Sequence, residues 1–215
     1  NRMRALVLES KEAGLIYKDS YKIQEPSDNK FVEVEVLAAA LNKRDYWILK
    51  GKYPGIRYPV ILGSDAVVRF ASKRYLINPN IKWGENQEVQ SNEYQIIGTP
   101  SNGTFADKLL ISKDKLIPCP DHLTNEEAAS LPLAGLTAYR ALFKKCQLKK
   151  DENVMISGIG GGVATTAFQF AKAINARVFV SSSSEIKRKK ALEIGAEAAV
   201  DYNMESYGRN LYKNY

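Results

Sequence analysis

Metal-binding side chains are scarce in this chain. It holds one histidine, His122, and two cysteines, Cys119 and Cys146. Their spacing makes neither a zinc motif nor a disulfide framework, which points to a reducing compartment and no metal. No apolar run reaches the ~18 residues that a membrane span requires. The apolar stretch at the start, Ala5-Leu6-Val7-Leu8, is too short for a secretory signal. A cytoplasmic protein without a membrane partner is the expectation. Acids are also in short supply: Lys and Arg number 31 against 24 Asp and Glu, a net charge of +7 and a pI near 9.2. Such a balance suits nucleic acid, an anionic membrane or a phosphorylated small molecule. The densest basic run is Lys187-Arg188-Lys189-Lys190. No aromatic residues interleave with it, and no zinc-finger or helix-turn-helix pattern accompanies it, so it reads as a solvated helix face and no nucleic-acid partner is expected.

What is present divides into two halves of different period. Residues 1–120 read mostly as short strands punctuated by Pro and Gly. Residues 31–37 alternate, with Val32, Val34 and Val36 on one face and Glu33 and Glu35 on the other. Strands are also expected at 4–8, 75–77 and 109–111. After Pro120 the period becomes helical. Thr124 and Glu127 form a capping box, the helix it starts should end near Pro132, and 133–143 has helical spacing again. Residues 153–157, 163–174, 177–180, 185–194 and 198–200 then alternate strand, helix, strand, helix, strand. That order implies a parallel sheet with right-handed crossovers. Helix 163–174 should bury Val163, Ala167, Phe170 or Ala171, and Ile174. The expected fold class is α/β: a β-rich domain over 1–123, then an incomplete Rossmann-type parallel α/β domain, its N-terminal part, over 124–215.

Between the first of these later strands and its helix lies Ser157-Gly158-Ile159-Gly160-Gly161-Gly162-Val163-Ala164. Glycines permit a tight turn and close approach of backbone to phosphates, and the helix N-terminus then offers free amides and partial positive charge. The strict G-x-G-x-x-G spacing is not met, because Val163 occupies the third glycine's place. Gly158-x-x-Gly161-x-x-Ala164 is a variant of it. The strand that follows decides the cofactor. An NAD site places an acid at its end, whereas this chain offers Ser181-Ser182-Ser183-Ser184 and then Lys187. Hydroxyls plus a cation suit a 2′-phosphate, so NADPH is the expected cofactor. Gly158, Gly160, Gly161, Gly162, Val163, Ser182, Ser183, Lys187 and Tyr202 are the candidate cofactor-binding residues.

These residues occur in company. The segment from Ser101 through Gly103 to Ala106, the run from Glu126 through Leu136-Thr137-Ala138-Tyr139 to Ala141, the glycine turn, and Gly195-Ala196 leading to Val200-Asp201-Tyr202 follow one another in order. Asn42 and Asp45, followed by Gly51-Lys52-Tyr53-Pro54, precede them. In this the chain resembles the zinc-independent quinone oxidoreductase branch of the medium-chain dehydrogenase/reductase (zinc-type alcohol dehydrogenase-like) superfamily over nearly its whole length. The resemblance implies a GroES-like domain followed by a Rossmann domain. It implies hydride transfer from NADPH to a small-molecule quinone, enone or other activated carbonyl or alkene. It also implies that Asn42, Tyr53 and Thr137 line the nicotinamide end, and that Ser183, Lys187 and Tyr202 surround the 2′-phosphate. On the residues alone, Asn42 reads equally as a turn residue, Tyr53 as a turn aromatic, and Thr137 as a helix threonine bonding its own backbone. Zinc-dependent relatives carry a cysteine near position 42 and a histidine after Gly63, where this chain has Asn42 and Ser64-Asp65. The stretch 79–98, which holds structural zinc in such relatives, contains no cysteine.

Two departures from the family pattern carry expectations of their own. Roughly a dozen family residues, forming a turn and hairpin after Asp65, have no counterpart, and a true deletion there should open an unpaired edge in the β-domain. Family members also continue for about a hundred residues past position 215, into the nicotinamide half of the Rossmann domain. The resemblance thus implies a homodimer for the full-length form. It also leaves an alternative: a truncated or inactive nucleotide-binding or scaffold protein without turnover.

Overall fold

A computed structural model describes residues 2–23 and 30–214. The chain divides into two compact units, Asn1–Leu133 and Ala134–Tyr215.

In the first unit, strand β1 (Met3–Ser10) pairs antiparallel with β2 (Gly14–Tyr21) and β4 (Val60–Ile61), flanking β3 (Phe31–Ala40) and the short helix α1 (Lys43–Leu49) in sequence. A five-stranded antiparallel sheet is built on β3. Its order is β10 (Leu116–Pro118), β6 (Lys73–Ile77), β5 (Asp65–Phe70), β3 and β9 (Lys108–Ser112). The alternation in β3 does what its period requires. Val34 is fully buried opposite Leu109, in a core with Ala66, Val68, Ile77, Ile97 and Ile111. Glu33 and Glu35 face outward and pair across strands with Lys108 and Arg69.

The shortened segment after Asp65 opens no edge. Strands β5 and β6 form a direct hairpin, closed by Ala71 and Ser72 at φ of 46° and 64°. The far side of β6 is paired with β10. A two-residue turn with both φ positive has the twist that antiparallel strands need, so the chain reverses without the extra residues.

The following lobe holds β7 (Asn80–Ile81) and β8 (Gln95–Ile96), paired with each other. Trp83 packs edge-on against Tyr94 at 5.1 Å, and Ser91 Oγ donates to the Lys82 carbonyl at 2.7 Å. Tyr94 donates to Asn80. Helix α2 (Asn125–Ala129) carries the capping box: Glu127 N donates to Thr124 Oγ1 at 3.2 Å, and Thr124 N to Glu127 Oε2 at 2.9 Å. Its Ala128 and Ala129 are buried with Val67 and Cys119. The helix ends at Ala129. Pro132 opens the next helix, α3 (Pro132–Tyr139), at a position where a missing N–H costs nothing. A π-helical turn, Arg140–Lys145, continues it.

The second unit is a three-stranded parallel sheet, β11 (Asn153–Ile156), β12 (Arg177–Ser181) and β13 (Ala198–Val200), in that order. Helix α4 (Gly162–Ala173) connects the first pair and α5 (Glu185–Glu193) the second, and α6 (Tyr207–Asn214) follows. The core gathers Ala138, Leu142, Ile156, Phe168, Val178 and Val180 among others. The buried stripe of α4 is Ala167, Phe168 and Ala171, with Ala164 half-buried. These positions follow the i, i+3, i+4, i+7 rule. Val163 lies outside the stripe and is 43% exposed, contrary to the face expected from sequence.

Candidate functional site

The chemistry in the first unit gathers at α1 and the start of β5. Asn42 is the N-cap of α1, and its backbone N–H donates to Asp45 Oδ2 at 2.8 Å. Its side-chain Nδ2 donates to Asp65 Oδ2 at 2.9 Å. The other oxygen of Asp65 accepts the backbone N–H of Leu133 at 2.7 Å. Asp65 is buried to 1% exposure. Burial pushes its carboxyl up to about 6; the Asn42 and Leu133 donors pull it back, and nearby Asp45 adds to the rise. Burial raises the Asp45 carboxyl too, against the pull of the Asn42 amide and Arg44.

Arg44, early in the same helix, is a hub. Its guanidinium donates to Tyr53 Oη at 3.1 Å, Ser64 Oγ at 2.9 Å, and the carbonyls of Ile96, Ile97 and Thr99 at 3.0–3.1 Å. It also lies over the Tyr53 ring, 4.8 Å from its centre. The backbone of 96–99 and the side chains of Tyr53 and Ser64 are thereby tied to one side chain, which suits the fixed planar fork of arginine. Glycines make room for this crossing: a Cβ on Gly103 would lie 1.9 Å from the Gly63 carbonyl oxygen.

In the second unit the glycine turn joins β11 to α4. Gly158 and Gly160 have φ of +70° and +100°, a region that side chains other than glycine's avoid. A Cβ on Gly160 would also lie 2.7 Å from Lys187 Cδ, so the Lys187 stem crosses directly over the turn. Gly161 is the N-cap of α4 and provides no side-chain cap, which leaves the first amides of a twelve-residue helix open to an anion. At the end of β12, Ser182 is buried and its Oγ accepts the Ser184 N–H at 3.2 Å. Ser184 caps α5 by accepting the Lys187 N–H. Ser183 is exposed, and Tyr202 Oη donates to its Oγ at 3.0 Å. Arg188 Nη1 donates to the Ser182 carbonyl at 2.6 Å and to Asp201 Oδ2 at 3.1 Å.

The structure thus brings Gly158, Gly160, Gly161, Gly162 and Val163 together as one turn, with Lys187 over it. It joins Ser183 to Tyr202 and sets Ser182 beneath them. Asn42 is held by Asp65, and Tyr53 by Arg44. Thr137 lies exposed on α3 in the second unit. Four contributors escaped the sequence reading: Arg44, Asp65 as a partner of Asn42, Arg188 and Asp201. Arg188 was hidden inside a basic run that reads as a solvated face, and it does not behave so. It is tethered inward, while Lys189 pairs with Glu185 at 2.8 Å and Lys190 with Glu193 at 3.6 Å.

Comparison with known proteins bears on the same two regions. Residues 28–121 match the family model of the alcohol dehydrogenase GroES-like domain, and residues 162–214 that of the zinc-binding dehydrogenase. A solved NAD-dependent alcohol dehydrogenase superposes with a TM-score of 0.85 at 31% identity, covering 98% of this chain and 67% of its own. The chain belongs to the medium-chain dehydrogenase/reductase superfamily. The zinc-type alcohol dehydrogenase-like protein YogA of Leptosphaeria maculans is 32% identical over 202 residues, 84% of this chain. The chain spans 56% of that relative's length. The quinone oxidoreductase of Thermus thermophilus, solved also in complex with NADPH, superposes with a TM-score of 0.76 at 27% identity, covering 98% of this chain and 64% of its own. Within the superfamily, the GroES-like match holds the Asn42–Asp65 and Arg44–Tyr53 contacts, and the dehydrogenase match begins at the glycine turn.

The superfamily name raises zinc, and the donors at the corresponding positions do not fit it. Asn42 turns its amide N–H toward Asp65, Ser64 Oγ donates to the Ile97 carbonyl, and Asp65 has both oxygens engaged by N–H donors. Among the described residues no three His, Cys, Asp or Glu side chains gather in a group that could hold a metal. A dinucleotide fits better. The glycine backbone, the uncapped α4 N-terminus, and the hydroxyls and lysine beside it are donors and cations, which is what phosphate oxygens require.

Proposed function

We propose that this chain carries the adenosine-side cofactor site and the substrate-side residues of a zinc-independent, NADPH-dependent oxidoreductase. Its substrate is a quinone, an enone or another activated carbonyl or alkene. The end of β12 carries this reading. There the hydroxyls of Ser183 and Tyr202 take the place of the acid that would select NADH, and Lys187 crosses the glycine turn at Gly160. The Thermus thermophilus relative, solved with NADPH, supports it.

In this reading the glycine turn, ending at Val163, and the first amides of α4 hold the pyrophosphate. NADPH, when bound, supplies the hydride. Asn42 supplies an amide whose orientation is fixed, because an ionised Asp65 only accepts and so must face Nδ2. The amide oxygen faces the Asp45 N–H in the capping box of α1, which leaves one amide hydrogen of Asn42 for substrate or nicotinamide. Tyr53 is held in one rotamer by Arg44 and can orient a carbonyl by its hydroxyl. In the second unit, the exposed Thr137 hydroxyl of α3 is the candidate for the nicotinamide end. The enzyme is read as a cytoplasmic protein and, in the full-length form, a homodimer.

Fluorescence titration with NADPH, with NADH as control, tests the cofactor. Saturable binding that prefers NADPH is expected, and Lys187→Ala should weaken NADPH roughly tenfold while leaving NADH nearly unchanged. Equal or tighter NADH binding overturns the cofactor assignment. The second reading, nucleotide binding without turnover, draws on the full engagement of Asp65, the buried acid bonded to Asn42, by structural donors. Steady oxidation of NADPH by any member of a quinone and enone panel eliminates it.

A further inference from the structure

The pair Ser183–Tyr202 joins two segments that the sheet alone does not hold together. The last rung between β12 and β13 is Ser181 with Val200, followed by one bond from Ser182 N to the Val200 carbonyl at 3.0 Å. Past that point no further backbone bond joins the segments among the described residues, yet Tyr202 Oη reaches Ser183 Oγ. Arg188 bridges them. The two hydrogens of its Nη1 go to the Ser182 carbonyl and to Asp201 Oδ2, and both charged side chains are only about one-fifth exposed. Asp201 Oδ1 in turn accepts the Asn203 N–H at 2.9 Å, which sets the turn that carries Tyr202.

We propose that Arg188 and Asp201 form a positioning clasp for cofactor selectivity, setting the Ser183–Tyr202 hydroxyl pair that receives the 2′-phosphate and leaving Lys187 as its cation. This rests on the NADPH reading above. Arg188 and Lys187 are adjacent on α5, so their side chains leave the helix about 100° apart. Anchoring Arg188 to the sheet therefore also sets the rotation of α5 that lays Lys187 over Gly160. The charge of Arg188 is offset by Asp201, whereas Lys187 has no acidic partner among the described residues. A ligand dianion thus meets one free cation and the hydroxyl hydrogen of Ser183, which the bond from Tyr202 leaves unused, and the Asp201 carboxylate beside them is already neutralised.

The test uses two probes that report the adenosine half alone, 2′-phospho-ADP-ribose and ADP-ribose, titrated by calorimetry into the 215-residue chain. The wild type should prefer the phosphorylated probe, and Lys187→Ala should reduce that preference. Arg188→Met and Asp201→Asn should each lower it roughly three- to tenfold, with ADP-ribose affinity changed less than about twofold. The double variant should be no worse than Arg188→Met alone, because the two act as one unit. A rise in preference in Asp201→Asn overturns the inference, since it would mean that a freed Arg188 binds the phosphate itself. Equal losses for both probes, or no change, also overturn it. Should Arg188→Met fail to fold, the near-isosteric Asp201→Asn, which keeps an oxygen for the Asn203 N–H, decides alone. If the wild type shows no preference, or Lys187→Ala leaves it intact, the NADPH reading falls first and takes the clasp's role with it. If only the Arg188 and Asp201 variants are silent, the clasp alone falls.

Discussion

Asp65 is an acid that folding keeps protonated longer than water would. Its carboxyl moves from 3.8 to about 6, chiefly by burial. Between those values the native state binds more protons than the unfolded chain, so stability falls as pH rises through this window. The shift is worth about 3 kcal/mol at neutral pH for so deeply buried a group. The melting temperature should therefore decline between about pH 4 and 6 through this residue, and Asp65→Asn should flatten that slope; an unchanged slope in the variant would refute the account. Arg44 is the opposite case, a charge that folding satisfies fully. Arg44→Met removes a donor from each of the carbonyls of Ile96, Ile97 and Thr99, leaving Ile97 only Ser64 Oγ, and should destabilise by roughly 3–5 kcal/mol in urea unfolding, far more than Lys43→Met on the same helix. Neither role was legible in the sequence. Asn42 and Tyr53 were named, but their partners lie 23 and 9 residues away, and the Leu133 amide on Asp65 is 68 residues off. Chemistry-bearing residues show their type in a sequence; which groups saturate them is decided by chain crossings that no local pattern encodes.

At the scale of elements, legibility followed burial. Strand β3 alternates because one face is core and the other is water, and β12 reads as a continuous apolar run because both its faces are covered. Strand β2 is half-exposed or exposed along its whole length, so it leaves no period to read. Helix α1 has seven residues, too few for a helical period to show. The β5–β6 hairpin was invisible for another reason: Ala71 and Ser72 adopt positive φ without the glycine or asparagine that usually announces such a turn. That leaves strain to relieve. The pair Ala71→Asn and Ser72→Gly should raise stability by roughly 0.5–1 kcal/mol, readable as a higher urea midpoint at unchanged slope. A lower midpoint would mean that the turn's own side chains contribute contacts outweighing the strain. On α5, the basic run divides among different neighbours, with Arg188 on Asp201, Lys189 on Glu185 and Lys190 on Glu193. Duplex DNA should therefore bind weakly, with a shallow dependence of log affinity on log salt; a slope as steep as several phosphate contacts require would contradict this.

At the scale of the whole molecule, the chain divides after Leu133, past the change of period at Pro120, because α2 packs its Ala128 and Ala129 with Val67 and Cys119 of the β-rich unit, and each unit has a core of its own. The β-rich unit packs around Val34, Val68 and Leu109, and the parallel unit around Phe168, Val178 and Val180. All the residues proposed for the adenosine half belong to the second unit. A ligand that binds only native structure stabilises what it touches, by about 2.7 kcal/mol at roughly a hundredfold excess over its dissociation constant. Hydrogen exchange locates where that gain falls. Saturating 2′-phospho-ADP-ribose should slow exchange in β11, β12 and β13, the glycine turn and the first turn of α5, and leave β3, β5 and β9 as they were. The effect should be largest at the sheet's outer strands, since β11 and β13 are only partly buried while β12 is already covered. Protection spreading equally into the β-rich sheet would show the two units unfolding as one, and protection confined to β3 and β5 would move the nucleotide site out of the glycine turn altogether.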